Sequence, residues 1–401
     1  MRLLIAKDDA RIVLPLASAQ TLTWAMTFYM FPAMLLTWEG AFDWGKAAIT
    51  GAFTLALLLS AIVAPLAGRL VDRGYGRLTM ACSMVLAAVM LVTLSLSGSR
   101  VGFYLAWAGI GIAMGGALYE VCFAFVTHLS ADAARRRITT ITLIAGFAGT
   151  VSFPTTYVLN QSFGWPITLR IYAAVALLVV VPLILSVRGK AAPLLRESSN
   201  DKHYSVSQAM RSPIFWLLAA GFALIALDHG VLMTHLLPIL VERHQPLELA
   251  VLAASLIGPM QVVGRLAMIV LGRRLPMLSI SLFSIAGLVL AAINLYVAAY
   301  AGILSALFAG ILIACFVVLQ GAGYGVTSIA RPVLTAEWLG RAHFGAISGV
   351  MGALYMLMMA LSPSIASGLW YVGGYDLVIA FVIGCALLSF VCMSMVSRLR
   401  N

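Results

Sequence analysis

The chain holds 401 residues, of which 62% are hydrophobic and 10% charged, with a mean hydropathy of +1.03 and a net charge of +11. Soluble domains carry about 45–50% apolar residues, so this composition excludes a soluble enzyme and implies a chain that crosses the bilayer many times. The expected partners are the lipid bilayer and a small molecule, for a monomer without cofactor or metal; the positive charge is explained below without nucleic acid.

A spanning helix needs about 20 mostly apolar residues. Runs of that kind, bounded by charge, Gly or Pro, lie at roughly 12–37, 45–67, 78–97, 101–127, 138–160, 167–187, 213–241, 247–271, 277–298, 302–329, 342–369 and 376–397. The start, MRLLIAKDDARIV, lacks a short apolar stretch followed by a small-residue cleavage site, so the first run is expected to be retained. It carries Gln20, Trp24 and Thr27 at helical spacing, a polar stripe that either lines a cavity or bonds to neighbouring helices.

Between the second and third runs stands GRLVDRGYGR, Gly68 to Arg77, with four charges in ten residues. Glycine there permits a very short turn, and Asp72 is placed to meet the positive N-terminal end of a helix. The fourth run contains Glu120, about two turns from its cytoplasmic end, which either handles a proton or pairs with Arg69 or with Arg135–Arg137. The glycines of GIGIAMGG in that run, and of GAISGVMG in the eleventh, sit in apolar helices with no strand before them. They are expected to allow close helix contact and not to hold a nucleotide.

The longest polar segment, VRGKAAPLLRESSNDKHYSVSQAMRSP, divides six runs from six. The expected organisation is a bundle over 1–187, a cytoplasmic linker over 188–212 and a second bundle over 213–401.

The seventh run carries Asp228, with His229 next to it and His235 seven residues on, the latter on the same helical face. A carboxyl and an imidazole in an apolar setting suit proton loading and release; alternatively, Asp228 pairs with Arg265. That arginine lies in GPMQVVGRLAMIVLGRR, seven residues before Arg273 and so inside the eighth run. Its planar fork suits a carboxylate, though such a side chain can also snorkel to the interface or close an ion pair. On the tenth run Gln320, Tyr324, Thr327 and Arg331 recur on one face. Five cysteines (82, 122, 315, 385, 392) fall in apolar runs without framework spacing and read as packing residues.

Positive residues resist translocation. With the N-terminus inside, 20 of the 25 Lys and Arg fall on the inner face and only Lys46, Arg100, Arg170 and Arg243 on the outer, with Arg265 within a helix. Both termini are expected in the cytoplasm, and this asymmetry accounts for the net charge.

The two halves resemble each other: GRLVDRGYGR recurs as GRLAMIVLGR, and GGALYEV as QGAGYGV. Over its whole length, with twelve runs, a 6+6 division and a charged central loop, the chain resembles the major facilitator superfamily. Gly68, Asp72, Arg73, Gly76 and Arg77 match that family's loop signature between helices 2 and 3, the second glycine falling one position late because Tyr75 is inserted. The resemblance implies an all-α membrane protein of twelve helices in two six-helix bundles. It also implies a gating loop in which Asp72 caps helix 11 while Arg73 and Arg77 anchor the turn in the cytoplasm.

The Gly-Arg-Leu around Arg265 is similar to the oxalate–formate and monocarboxylate branch, whose helix-8 arginine contacts the substrate anion. What this implies is a secondary transporter of a small, monocarboxylate-like anion, proton-coupled and working by alternating access in a bacterial-type inner membrane. Arg265, Gln20, Trp24, Gln320 and Tyr324 would hold the cargo, and Asp228, His235 and Glu120 the proton. The alternative is a proton-driven drug or metabolite exporter. Such exporters commonly carry an arginine on helix 4 and a Gly-Pro motif on helix 5. Here helix 4 has no Arg, and TLIAGFAGTVSFPTTY has Gly146, Gly149 and Pro154 but no Gly-Pro pair. No Walker, zinc or nucleophile-elbow pattern occurs, which leaves ATP-driven transport and catalysis without support.

Overall fold

A computed structural model describes residues 7–129, 131–187, 206–272, 274–301, 306–339 and 344–399. Those residues are almost entirely helical, because backbone groups in lipid must bond within their own segment. The first helix, α1, runs from Lys7–Trp24 through a wider π turn at Ala25–Tyr29 into Met30–Ala41. Lys46–Leu70 is α2 and Gly76–Ser95 is α3. Helix α4 comes in two pieces, Arg100–Ala117 and Tyr119–Leu129, parted by Leu118 in an extended conformation (φ −77°, ψ −169°).

Helix α5 comprises Ala131–Ala145 and the first arm of Ala148–Val175, which breaks at Gly164 (φ 76°). The second arm is α6, continued through the π turn Ala176–Val180 to Val181–Ser186. After a short helix at Val206–Arg211 come α7 (Pro213–Glu242), α8 (Leu247–Leu271), α9 (Met277–Ala301) and α10 (Ala306–Leu339). The two arms of Phe344–Arg398, parted by non-helical Gly373 and Gly374, are α11 and α12.

Among the described residues nine stretches are long and apolar enough to span a membrane. Two of them, Arg136–Ser186 and Ile347–Arg398, hold 51 and 52 residues and are divided by the glycine breaks just given. With α1 added, the twelve apolar runs are accommodated. The boundaries differ most at two places: α5 begins at Ala131 where the fifth run was expected from 138, and α10, expected to end near 329, continues to Leu339 through Pro332. Charge bounds an apolar run, not a helix, and TAEWL is good helix-forming sequence. Arg331, the last of the polar face read on the tenth run, thus lies inside the helix.

The chain separates into two compact units, Met1–Arg196 and Glu197–Asn401. In the first, α4 packs on both α2 and α3; in the second, α10 packs on both α8 and α9. The same device closes both contacts. A Cβ on Gly111 or Gly115 would lie 2.3 Å from Ala56 O or 2.7 Å from Ser60 O on α2. In the second unit a Cβ on Gly321 or Gly325 would lie 2.7 Å from Ile257 O or 2.2 Å from Gln261 O on α8, and one on Gly264 would lie 2.2 Å from Ala322 O. Lipid offers no hydrophobic force between helices, so close backbone approach supplies the packing. The contact of α4 on α2 thus has a counterpart in that of α10 on α8.

An aromatic cluster fills the other end of the first unit. Phe31, Trp38, Phe53, Phe103 and Trp107 are all buried, with Phe31 stacked on Phe53 at 4.3 Å. It fixes α1, α2 and α4 against one another through geometry-specific ring contacts.

Candidate functional site

In the second unit, every residue of α7 from Ile225 to Leu240 is buried. Asp228, 1% exposed, accepts a hydrogen bond at Oδ2 from Gln320 Nε2 on α10, at 3.0 Å. Its Oδ1 and the Gln320 Oε1 have no hydrogen-bond partner among the described residues. The pairing of Asp228 with Arg265, one of the two sequence readings, is not formed. The glycine contacts account for the separation: those of Gly321 with Ile257 and Gly325 with Gln261 place Gln320 level with Leu256, and that of Gly264 with Ala322 places it level with Val262. Arg265 then lies three to nine residues on, roughly 5–13 Å along the helix from the Asp228 level. It is 8% exposed and adjoins the α8 face, built of Gln261 and Gly264, that packs on α10.

The neighbouring His229 stacks on Tyr324, centroids 3.3 Å apart and planes at 8°, with its Nδ1 buried and without a hydrogen-bond partner among the described residues. Tyr324 Oη is 2.5 Å from Tyr355 Oη on α11, and the Arg331 guanidinium lies 4.3 Å over the Tyr355 ring. Polar and aromatic groups thus run without a gap from Asp228 to Arg331. Thr327 takes no part in this; its hydroxyl donates to Tyr324 O.

His235, expected to work with Asp228, is held by other helices. Its Nε2 is 3.3 Å from Pro363 O and its Nδ1 3.2 Å from Tyr375 Oη. A carbonyl can only accept, so these two contacts are met by a neutral ring with the proton on Nε2 and the tyrosine donating to Nδ1. The i, i+7 spacing put both side chains on one face without showing that the two would have different neighbours.

In the first unit Gln20 Nε2 donates to Ala117 O at 2.7 Å, at the point where α4 breaks. A carbonyl there has lost its helical donor, and the glutamine replaces it. Oε1 and the second Nε2 hydrogen are then left for a cargo. Trp24 is packed against Tyr119 at 4.9 Å and Phe28 at 5.3 Å, its Nε1 without a hydrogen-bond partner among the described residues, while Thr27 bonds back to Thr23 O. Glu120 is exposed, in the first turn of the second piece of α4, where a carboxylate meets the positive helix end.

The loop motif is built on two glycines with different tasks. Gly74 takes φ 89°, which a side chain disfavours, whereas Gly76 opens α3 where a Cβ would lie 2.8 Å from Phe125. Gly68 has open space around it and Arg73 is exposed; the Asp72 side chain lies outside the described residues. Arg77 reaches Leu185 O and Val187 O at 3.4 and 3.3 Å, closing the C-terminal end of α6. Sequence reasoning missed that contact, and it missed Tyr355 and Tyr375. A phenol standing alone in GALYMLMM was the available sign for Tyr355.

A sequence profile of the Major Facilitator Superfamily matches residues 16–318. The chain belongs to this superfamily and is a membrane transporter. No curated protein sequence matches it significantly. Among solved structures, a bacterial homolog of the human lysosomal transporter Spinster is similar in fold. Its inward-facing, occupied form gives a TM-score of 0.70 at 14% identity over 98% of both chains. The unoccupied form gives 0.68, at the same identity and coverage.

Proposed function

We propose that this facilitator moves a small organic carboxylate together with a proton, by alternating access across a bacterial-type inner membrane with both termini in the cytoplasm. Arg265 holds the carboxylate and Asp228 carries the proton. Gln20, Trp24, Gln320 and Tyr324 shape the remainder of the site, His235 and Glu120 support proton transfer, and Gly68, Asp72, Arg73, Gly76 and Arg77 form the gating loop.

The observation that carries this reading is that Asp228 is buried and bonded to the neutral amide of Gln320, and not to Arg265 in the same unit. A charged side chain within a bilayer costs about 2.5–3.5 kcal/mol on insertion scales. A bridge from Arg265 would have offset that cost for Asp228 within the protein; a buried acid bonded only to a neutral amide suits a proton. An acid that can be neutralised inside the bundle and ionised where water reaches it is a carrier of protons.

The test uses proteoliposomes and a labelled carboxylate that the protein exchanges. Asp228→Asn is expected to retain exchange and to lose accumulation driven by an imposed pH gradient. Accumulation that still follows the gradient in this variant removes Asp228 from the coupling role.

A further inference from the structure

We propose that Arg331 is a second anion-binding residue, and that the cargo is a short dicarboxylate instead of a monocarboxylate. The proposal rests on the anion reading above and deepens it. Its first support is register. The contacts of Gly321 and Gly325 place Arg265 level with Ile329, and the contact of Gly264 with Ala322 places it level with Gly323. Arg331 is two to eight residues further, about 3–12 Å beyond along the axis. Two guanidinium-bearing residues therefore stand within about 12 Å in height on packed neighbouring helices, α8 and α10.

The second support is the way Arg331 is held. Its guanidinium carbon lies over the Tyr355 ring, 4.3 Å from the centroid, and Tyr355 is tied through its hydroxyl to Tyr324, itself stacked on His229. A cation over an aromatic face keeps its N–H donors for planar acceptors. The third support is an unmet donor: Arg331 Nη1 is buried and has no hydrogen-bond partner among the described residues. A buried donor without an acceptor is costly, and a carboxylate oxygen is the acceptor that a guanidinium recognises best. With Arg265 taking one acid group, Arg331 takes the other, and the ring slab of His229, Tyr324 and Tyr355 lies beside the carbon chain between them.

The experiment measures stabilisation of the purified full-length protein by malonate and succinate against propionate and butyrate, at constant ionic strength. The parent is expected to respond to the dicarboxylates at concentrations at least tenfold lower. Arg331→Gln should bring the dicarboxylates to the level of the monocarboxylates while leaving the monocarboxylate midpoints within threefold. Arg331→Lys, which keeps the charge and loses the fork, should retain only part of the preference.

Equal response to both classes in the parent, or a dicarboxylate preference that survives Arg331→Gln, overturns the second site and leaves the anion reading standing. Silence towards all four acids overturns both together. Should Arg331→Gln fail to fold, Tyr355→Leu removes the platform while keeping the arginine; an undiminished dicarboxylate preference in that variant also refutes the proposal.

Discussion

Gln20 shows how a polar side chain inside a membrane bundle can be assigned on its bonds. From the sequence it was one member of a stripe on the first helix, equally suited to cargo or to a neighbouring helix. In the fold its amide donates to Ala117 O, the carbonyl exposed by the break at Leu118. Leaving a buried carbonyl unmet costs about 1–3 kcal/mol. Gln20→Leu should therefore lower unfolding stability by about that amount, since leucine cannot donate. A residue that only touched cargo would instead lose affinity at unchanged melting temperature, and that outcome would remove the bracing role. The sequence could not show this bond, because donor and acceptor are 97 positions apart and Leu118 carries no mark of a helix break.

At the scale of the helix, the apolar runs and their order were legible because the bilayer imposes a minimum length on every span. The internal repeat was legible too, and each unit has a glycine face, of α4 on α2 and of α10 on α8, although Gly264 packs where its repeat-mate Gly68 has open space. The glycines differ in what they do. Gly111 has Ala56 backbone atoms within 2.3–2.7 Å of the place a Cβ would occupy, whereas Gly349 and Gly352 on α11 have nothing within 4 Å. Close contact was expected of both glycine-rich stretches, and α4 alone provides it at these positions. Gly111→Ala should push α2 and α4 apart and destabilise by about 1–3 kcal/mol, as overpacking does. Gly349→Ala should be neutral or stabilise by up to about 1 kcal/mol, because alanine is the better helix former. Melting curves of the two variants in the same detergent decide the matter; equal losses would mean that helix spacing does not depend on the α4 glycine face.

For the whole molecule the distribution of charge makes a prediction that the fold of each unit does not. Twenty of the 25 Lys and Arg lie on one set of loops if the N-terminus is inside, and such a bias sets orientation because positive charge resists translocation. The residues on the opposite set are engaged locally: Arg243 bonds Asp376 at 2.6 Å and caps Leu295 O on α9, and Lys46 pairs with Glu39 at 3.6 Å. They are tied into helix ends and do not compete in the inner-face count. Single cysteines in a background without the five native ones should report the orientation. Asp43, between α1 and α2, is exposed, as are Ser207 in the short helix before α7 and Arg274 after α8. Asp43→Cys should react with a membrane-impermeant maleimide on intact cells, whereas Ser207→Cys and Arg274→Cys should react only after permeabilisation. Losing one positive charge of twenty at Arg274 is too small a change to reverse the bias. The reverse labelling pattern would place the GRLVDRGYGR loop, Arg331 and the end of α10 on the outer side, and the cargo would then meet its second arginine from outside the cell.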